Sequence, residues 1–166
     1  MTTTAADPGP AVAALTPGGR VMVDTNVWVY ATAAAAPLHG AAQTVLAALV
    51  GSGAELWTSR QVLREYVAAM TRPQPFSAPI PAAAVVAAVS GIIAQCRMAE
   101  DGAAVFAHFL TLLSSVLVGG RQVHDANIAA TMLAHGIPNL LTQNTADFNR
   151  FSGYLTVVPL VPPGGP

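Results

Sequence analysis

The sequence contains no lysine: seven arginines are its only basic residues, against eight acids, and the formal net charge of the 166 residues is −1. No basic arm or tail can therefore hold nucleic acid by charge alone, and any contact with phosphates falls to a few local arginines. Charge of either sign is scarce, at 9% of the chain, where ordinary soluble domains carry about a quarter. A single cysteine, Cys96, excludes an internal disulfide and suits a reducing cytoplasm. A continuous apolar run of about 20 residues, the length of a membrane span, is also missing. Pro37, His39, Gly40 and Gln43 interrupt residues 27–50, and the stretches 80–96 and 105–118 are shorter and read as core helices. No membrane role is expected. The N-terminus lacks the positive region and apolar core of a secretion signal. No glycine-rich fingerprint follows the first strand, which excludes a dinucleotide enzyme. The missing lysine also argues against a phosphatase or phosphorelay domain, whose strand-end aspartate usually works beside one.

What is present is an alternation of short apolar strands and Ala-rich helices. Strands are predicted at 20–24, 55–58, 96–99 and 139–142, with an edge strand at 156–160. Helices are predicted at 27–35, 40–50, 60–71, 82–94, 102–118 and 124–135, with a helical turn at 144–148. Pro37, Gly51-Ser52-Gly53, Arg72-Pro73, Gly119-Gly120 and Gly136 mark their ends. The four prolines of 73–81 make that segment a loop. This order implies an α/β fold with a small, mainly parallel sheet, right-handed crossovers and a ligand crevice at the carboxyl ends of the strands. One domain is expected over 19–160, with a disordered tail at 1–18 and a flexible one at 161–166. Residues 27–54, 73–96 and 102–120 carry no Asp, Glu, Lys or Arg. Helices so poor in charge are expected to hide a face against another subunit, which predicts a homodimer.

Four of the eight acids stand where strands end or helices begin: Asp24, Glu65, Asp125 and Asp147. Each has a simpler reading alone. Asp24 and Asp125 suit helix caps, Glu65 a solvated helix residue, and Asp147 a capping box with Asn144 three residues earlier. Together they make half of all the acids, at positions that one sheet edge can gather. Carboxylates brought that close repel one another and take up protons unless a cation intervenes. Mg²⁺ or Mn²⁺ prefers oxygen ligands, and either would support phosphodiester hydrolysis with one ion or two.

The segments VMVDTNVWVYA, SRQVLREYVAAMTRP and HDANIAATMLAHGIPNLLTQNTADFNRF, between Val21 and Phe151, resemble PIN-domain ribonucleases, most of all the VapC toxins of type II VapBC toxin–antitoxin pairs. DTN alone is a weak signal; the third segment is a strong one. The resemblance implies a three-layer α/β/α sandwich and an acidic site dependent on Mg²⁺ or Mn²⁺. It implies an endoribonuclease that cuts RNA to restrain translation and growth, and a cognate antitoxin protein as partner. Asp24 and Asp125 would be the principal metal ligands, Glu65 would complete the site, and Asp147 would be the fourth acid, with Thr142 and Asn144 positioning water or phosphate. Many relatives carry an acid where this chain has Asn144, so either Asp147 or Asn144 fills the fourth position. That departure leaves a second reading: a PIN-fold module that binds RNA or protein without cutting it.

Arg60, Arg64, Arg121 and Arg150, together with Arg72, are candidate RNA-phosphate contacts, weighed against ordinary surface charge. His124 is read as structural, and Trp28, Tyr30, Trp57, Tyr66 and Phe148 as packing residues.

Overall fold

The computed structural model describes Leu15 and residues 18–162. The expected tails at 1–18 and 161–166 therefore lie almost wholly outside the described residues. Five strands form one sheet: β1 (Arg20–Val23), β2 (Glu55–Ser59), β3 (Arg97–Ala99), β4 (Asn139–Thr142) and β5 (Thr156–Pro159). Their order is β3-β2-β1-β4-β5, and every pairing is parallel. In the two central strands, Val21, Met22, Val23, Leu140 and Leu141 are fully buried. Such unbroken apolar runs are what a parallel sheet covered on both faces requires.

Among the described residues, seven helices connect the strands: α1 (Thr25–Thr32), α2 (His39–Gly51), α3 (Arg60–Met70), α4 (Ala82–Gln95), α5 (Ala103–Ser115), α6 (Gln122–His135) and the short α7 (Thr145–Phe148). A 3-10 turn, Asn149–Phe151, follows α7. The chain moves one way along the sheet from β1 to β3, then crosses back to β4 and β5. With right-handed crossovers, α1 to α4 cover one face and α5 to α7 the other. This is the α/β/α sandwich that the resemblance implied.

The reversal in strand order falls between β1 and β4. Helices leave these neighbouring strands toward opposite faces, so a crevice opens at their carboxyl ends. Asp24 follows β1 directly, and Thr142 is the last residue of β4.

Several boundaries differ from the sequence reading for local reasons. Helix α1 begins at Thr25, because the Asp24 side chain accepts a hydrogen bond from the Thr25 N–H, and it ends at Thr32. Helix α5 stops at Ser115, short of Val118. Helix α6 begins two residues before His124: Gly120 turns the chain with φ +56°, and the Gly119 N–H donates to the Gln122 side chain at 3.1 Å. Asp125 is therefore a first-turn residue of α6 and not its cap.

At the other end of α6, Gly136 is left-handed (φ 62°), and its N–H and that of Ile137 close onto carbonyls of the last turn. This cap sets the approach of β4 to the sheet. Gly136→Ala should lower unfolding stability by about 1 kcal/mol, because a Cβ is strained at that φ. Urea denaturation checks this, and an unchanged midpoint would contradict the assigned cap.

Candidate active site

Asp24 is the anchor of the crevice, with only 5% of its surface exposed. Oδ1 accepts the Thr25 N–H at 2.7 Å. Oδ2 accepts the Asn26 side-chain amide at 2.6 Å and the Thr142 hydroxyl at 2.7 Å. The Asp24 N–H in turn donates to the Leu141 carbonyl at 3.0 Å. One carboxylate thus joins the end of β1, the first turn of α1 and the end of β4. Burial pushes its pKa above the ordinary carboxylate value and the Glu65 charge adds to the rise, while the hydrogen bonds from Thr142, Thr25 and Asn26 oppose it.

Glu65 lies in the middle of α3, half-buried. Its carboxylate accepts the Thr25 hydroxyl at 3.1 Å and the Gln61 amide at 2.8 Å. Gln61 also donates to the His124 carbonyl at 2.9 Å and accepts from the Asn127 amide at 2.8 Å. It therefore clamps α3 to the start of α6, one residue from Asp125. Asp125 is half-buried, and its pKa is pushed up to about 6, first by burial and then by the charges of Asp147, Asp24 and Glu65; Arg150 acts in the opposite sense. The sensitivity of this one carboxyl to the other three acids means that all four converge on one region.

Asp24, Glu65 and Asp125 line a single open cleft of about 280 Å³, with Thr25, Asn26 and Asn144. Asp147 stands beside it: the Asn144 side-chain amide donates to the Asp147 carboxylate. The capping box expected from this pair is not formed, because Asn144 makes no side-chain bond to the helix backbone. Asn144 is instead fixed through its own N–H, which donates to the Thr142 hydroxyl at 2.9 Å.

The arginines divide. Arg72 lines the cleft. Arg150 donates to the Asp147 carbonyl at 3.1 Å and the Leu117 carbonyl at 3.2 Å, which holds it beside the acids. Arg60 is turned to the β3 side, where it forms a two-pronged pair with Glu100 at 2.7 and 2.9 Å. Arg64 and Arg121 are exposed, with no ion pair among the described residues.

Sequence reasoning missed the amides that orient the acids: Asn26, Gln61 and Asn127. Only Gln61 left a local signal, four residues before Glu65 on the same helix face. The bonds of Asn26 to Thr142 and to the Gln143 N–H cross more than a hundred residues of sequence.

The donor set is suited to a hard divalent cation, since it offers carboxylate, amide and hydroxyl oxygens. Among the described residues, no three acidic, imidazole or thiol groups close into a ready-made cage. No helix among the described residues is long and apolar enough to cross a membrane.

The family model of the PIN domain matches residues 21–154, and the chain belongs to that family. Its fold is similar to that of solved toxin–antitoxin proteins. VapBC2 from Rickettsia felis, solved with a DNA fragment from its promoter, aligns with TM-score 0.62 and 18% identity over 84% of this chain and 98% of that one. Mycobacterium tuberculosis VapC20, described as a sarcin–ricin loop cleaving toxin, aligns with TM-score 0.59 and 23% identity over 84% and 99%. VapBC-1 from nontypeable Haemophilus influenzae gives TM-score 0.59 and 18% identity over 85% and 98%. No curated protein matches by sequence.

The raised Asp125 pKa has a thermodynamic consequence. A carboxyl whose folded pKa exceeds its unfolded value binds more protons when folded, so the metal-free protein loses stability as pH rises from about 4 to about 6. Asp125→Asn removes that penalty. In EDTA it should raise the melting temperature near pH 7 and lose this advantage near about pH 4. Thermal melts at the two pH values check this; a variant that melts lower near neutrality would contradict the assigned repulsion.

Proposed function

We propose that this PIN domain is a Mg²⁺- or Mn²⁺-dependent endoribonuclease acting as the toxin of a type II toxin–antitoxin pair, with the domain formed by residues 19–160. The observation that carries the reading is the meeting of Asp24, Glu65 and Asp125 in one cleft at the switch point of a parallel sheet. The family match and the fold shared with VapC proteins support it.

Asp24 and Asp125 would hold the dication, with Glu65 completing the site. When bound, the ion supplies Lewis-acid polarisation of the scissile phosphate and an activated water. The residues of the chain do the rest. Thr142, Asn26 and Thr25 fix the Asp24 carboxylate so that both of its oxygens are committed in orientation. Gln61 fixes Glu65 and ties it to the helix bearing Asp125. Asp147 acts at one remove: its charge bears on Asp125, and its hydrogen bond aims Asn144, which faces the cleft. Arg150, bonded to the Asp147 and Leu117 carbonyls, and Arg72 in the cleft lining are the arginines suited to meet RNA phosphates.

Purified protein should cleave single-stranded RNA with Mg²⁺ or Mn²⁺, and EDTA should stop it. Asp24→Asn should reduce cleavage to background and relieve any arrest of growth on expression. Cleavage by Asp24→Asn at the wild-type rate would refute the site. Tight metal binding without turnover of any RNA would favour the non-cutting module.

The reading extends to a cytoplasmic setting, to a cognate antitoxin whose addition should stop cleavage, and to a homodimer. Helix α5 exposes Phe106 at 59%, Leu110 at 52% and Leu113 at 39%, in the charge-free stretch 102–120. Apolar side chains of this size on one charge-free helix suit a subunit contact. Sedimentation at micromolar concentration should give a dimer that Leu110→Asp dissociates; a monomeric wild type would contradict it.

A further inference from the structure

The acidic cleft has a second wall of a different character. Tyr30, Phe76, Ala69 and Val29 line it along with Arg72 and Gln74. Tyr30 and Phe76 are in contact, with ring centroids 6.5 Å apart and planes inclined at 45°. Both are half-buried: each packs against the hydrophobic core and keeps part of its surface open to solvent.

Phe76 is held in place by its loop. Gln74 and Ser77 exchange backbone hydrogen bonds at 2.9 and 3.3 Å, so Pro75 and Phe76 form the tip of a tight turn. Pro75 fixes its own φ at that tip. The Gln74 amide donates to the Ala69 carbonyl at 2.6 Å, and the Ile80 N–H donates to the Met70 carbonyl at 3.0 Å. The loop is thus pinned to the end of α3 before and after the turn. Arg72 begins the same loop and makes no ion pair among the described residues, although the cleft it lines contains three acids.

We propose that Tyr30, Phe76 and Arg72 form a nucleotide subsite beside the acid cluster, which takes one unpaired base on the aromatic surface and the adjoining phosphate on the guanidinium. This deepens the ribonuclease reading and rests on it for the identity of the strand. The chemistry selects single-stranded nucleic acid over a helix: a base must leave its stack before it can lie on a protein ring, and such stacking tolerates any base. The subsite would set which phosphate reaches the acids, since one stacked base fixes the register of the strand. A protein segment is the less apt occupant, because the same wall carries an unpaired cation next to a site that must admit phosphate.

The test is binding of a single-stranded RNA pentanucleotide carrying one 2-aminopurine, whose fluorescence falls when it stacks on an aromatic ring. It is run with Mg²⁺ and with EDTA, beside a cleavage assay. Wild type should quench the probe. Phe76→Leu and Tyr30→Leu, which keep apolar bulk, should weaken binding roughly 10- to 100-fold, and Phe76→Tyr should restore it. Arg72→Gln should weaken binding while leaving the quenching of bound probe intact. No quenching by wild type in either condition overturns the subsite, as does unchanged binding by both leucine variants. So does a Phe76→Leu protein that binds RNA normally but loses a protein partner. Quenching without cleavage would retain the subsite and remove the ribonuclease reading, so the two fail separately.

Discussion

A buried carboxylate at the end of the first strand organises the molecule. Burying an isolated charge is costly, and the protein offsets part of that cost with three donors from two parts of the chain. Thr25 and Asn26 follow Asp24 directly, while Thr142 arrives from the far end of the sequence on β4. A hydrogen bond to a charged group contributes about 1.5–3 kcal/mol net, so each donor has leverage over both stability and the orientation of the acid. The same contacts lock β1 to β4 at the point where the sheet reverses its winding. Fold and site are therefore not separable here: the residues that close the switch point also aim the carboxylate into it.

The electrostatics of the crevice follow from that arrangement. Four acids in one region of a chain with net charge −1 create a negative potential that would repel RNA. The proposed dication would reverse this locally, by relieving the mutual repulsion and presenting positive charge to a phosphate. The same cleft is also lined by the apolar and aromatic residues Val29, Tyr30, Ala69 and Phe76, and by Arg72. The cleft is thus divided between a part suited to the scissile phosphate and a part suited to what flanks it.

Much of this was legible in the sequence, and the reasons are specific. Helix α3 begins at Arg60, as expected, and the Ser59 hydroxyl caps it by accepting the Val62 N–H. Gly136 and Pro138 announced the stop of α6. Asp24 could be placed because an apolar strand ended on it, and parallel topology sends strand ends to one edge. Side-chain pairing was less legible. Asn144 and Asp147 have the spacing of a capping box, yet the two side chains bond each other. Arg60 and Arg64 share a helix face, yet Arg60 turns to Glu100, 40 residues away and directly after β3. The supporting amides carry no charge and no periodicity, and their partners are fixed only once α3 and α6 meet. Tyr30 packs against the core as read, but its contact with Phe76 was not legible, because Phe76 lies in a loop whose shape depends on pairing between Gln74 and Ser77.

The central claim is that Asp24 and Asp125 face a common dication. Crystals soaked in Mn²⁺ and measured at a wavelength where manganese scatters anomalously test it most directly. The account predicts an anomalous peak within coordination distance, about 2.0–2.2 Å, of oxygens from both carboxylates, with Glu65 on the same peak directly or through water. A map with no peak between them at saturating Mn²⁺, or with manganese held only at a surface acid such as Glu55 or Glu100, would contradict it.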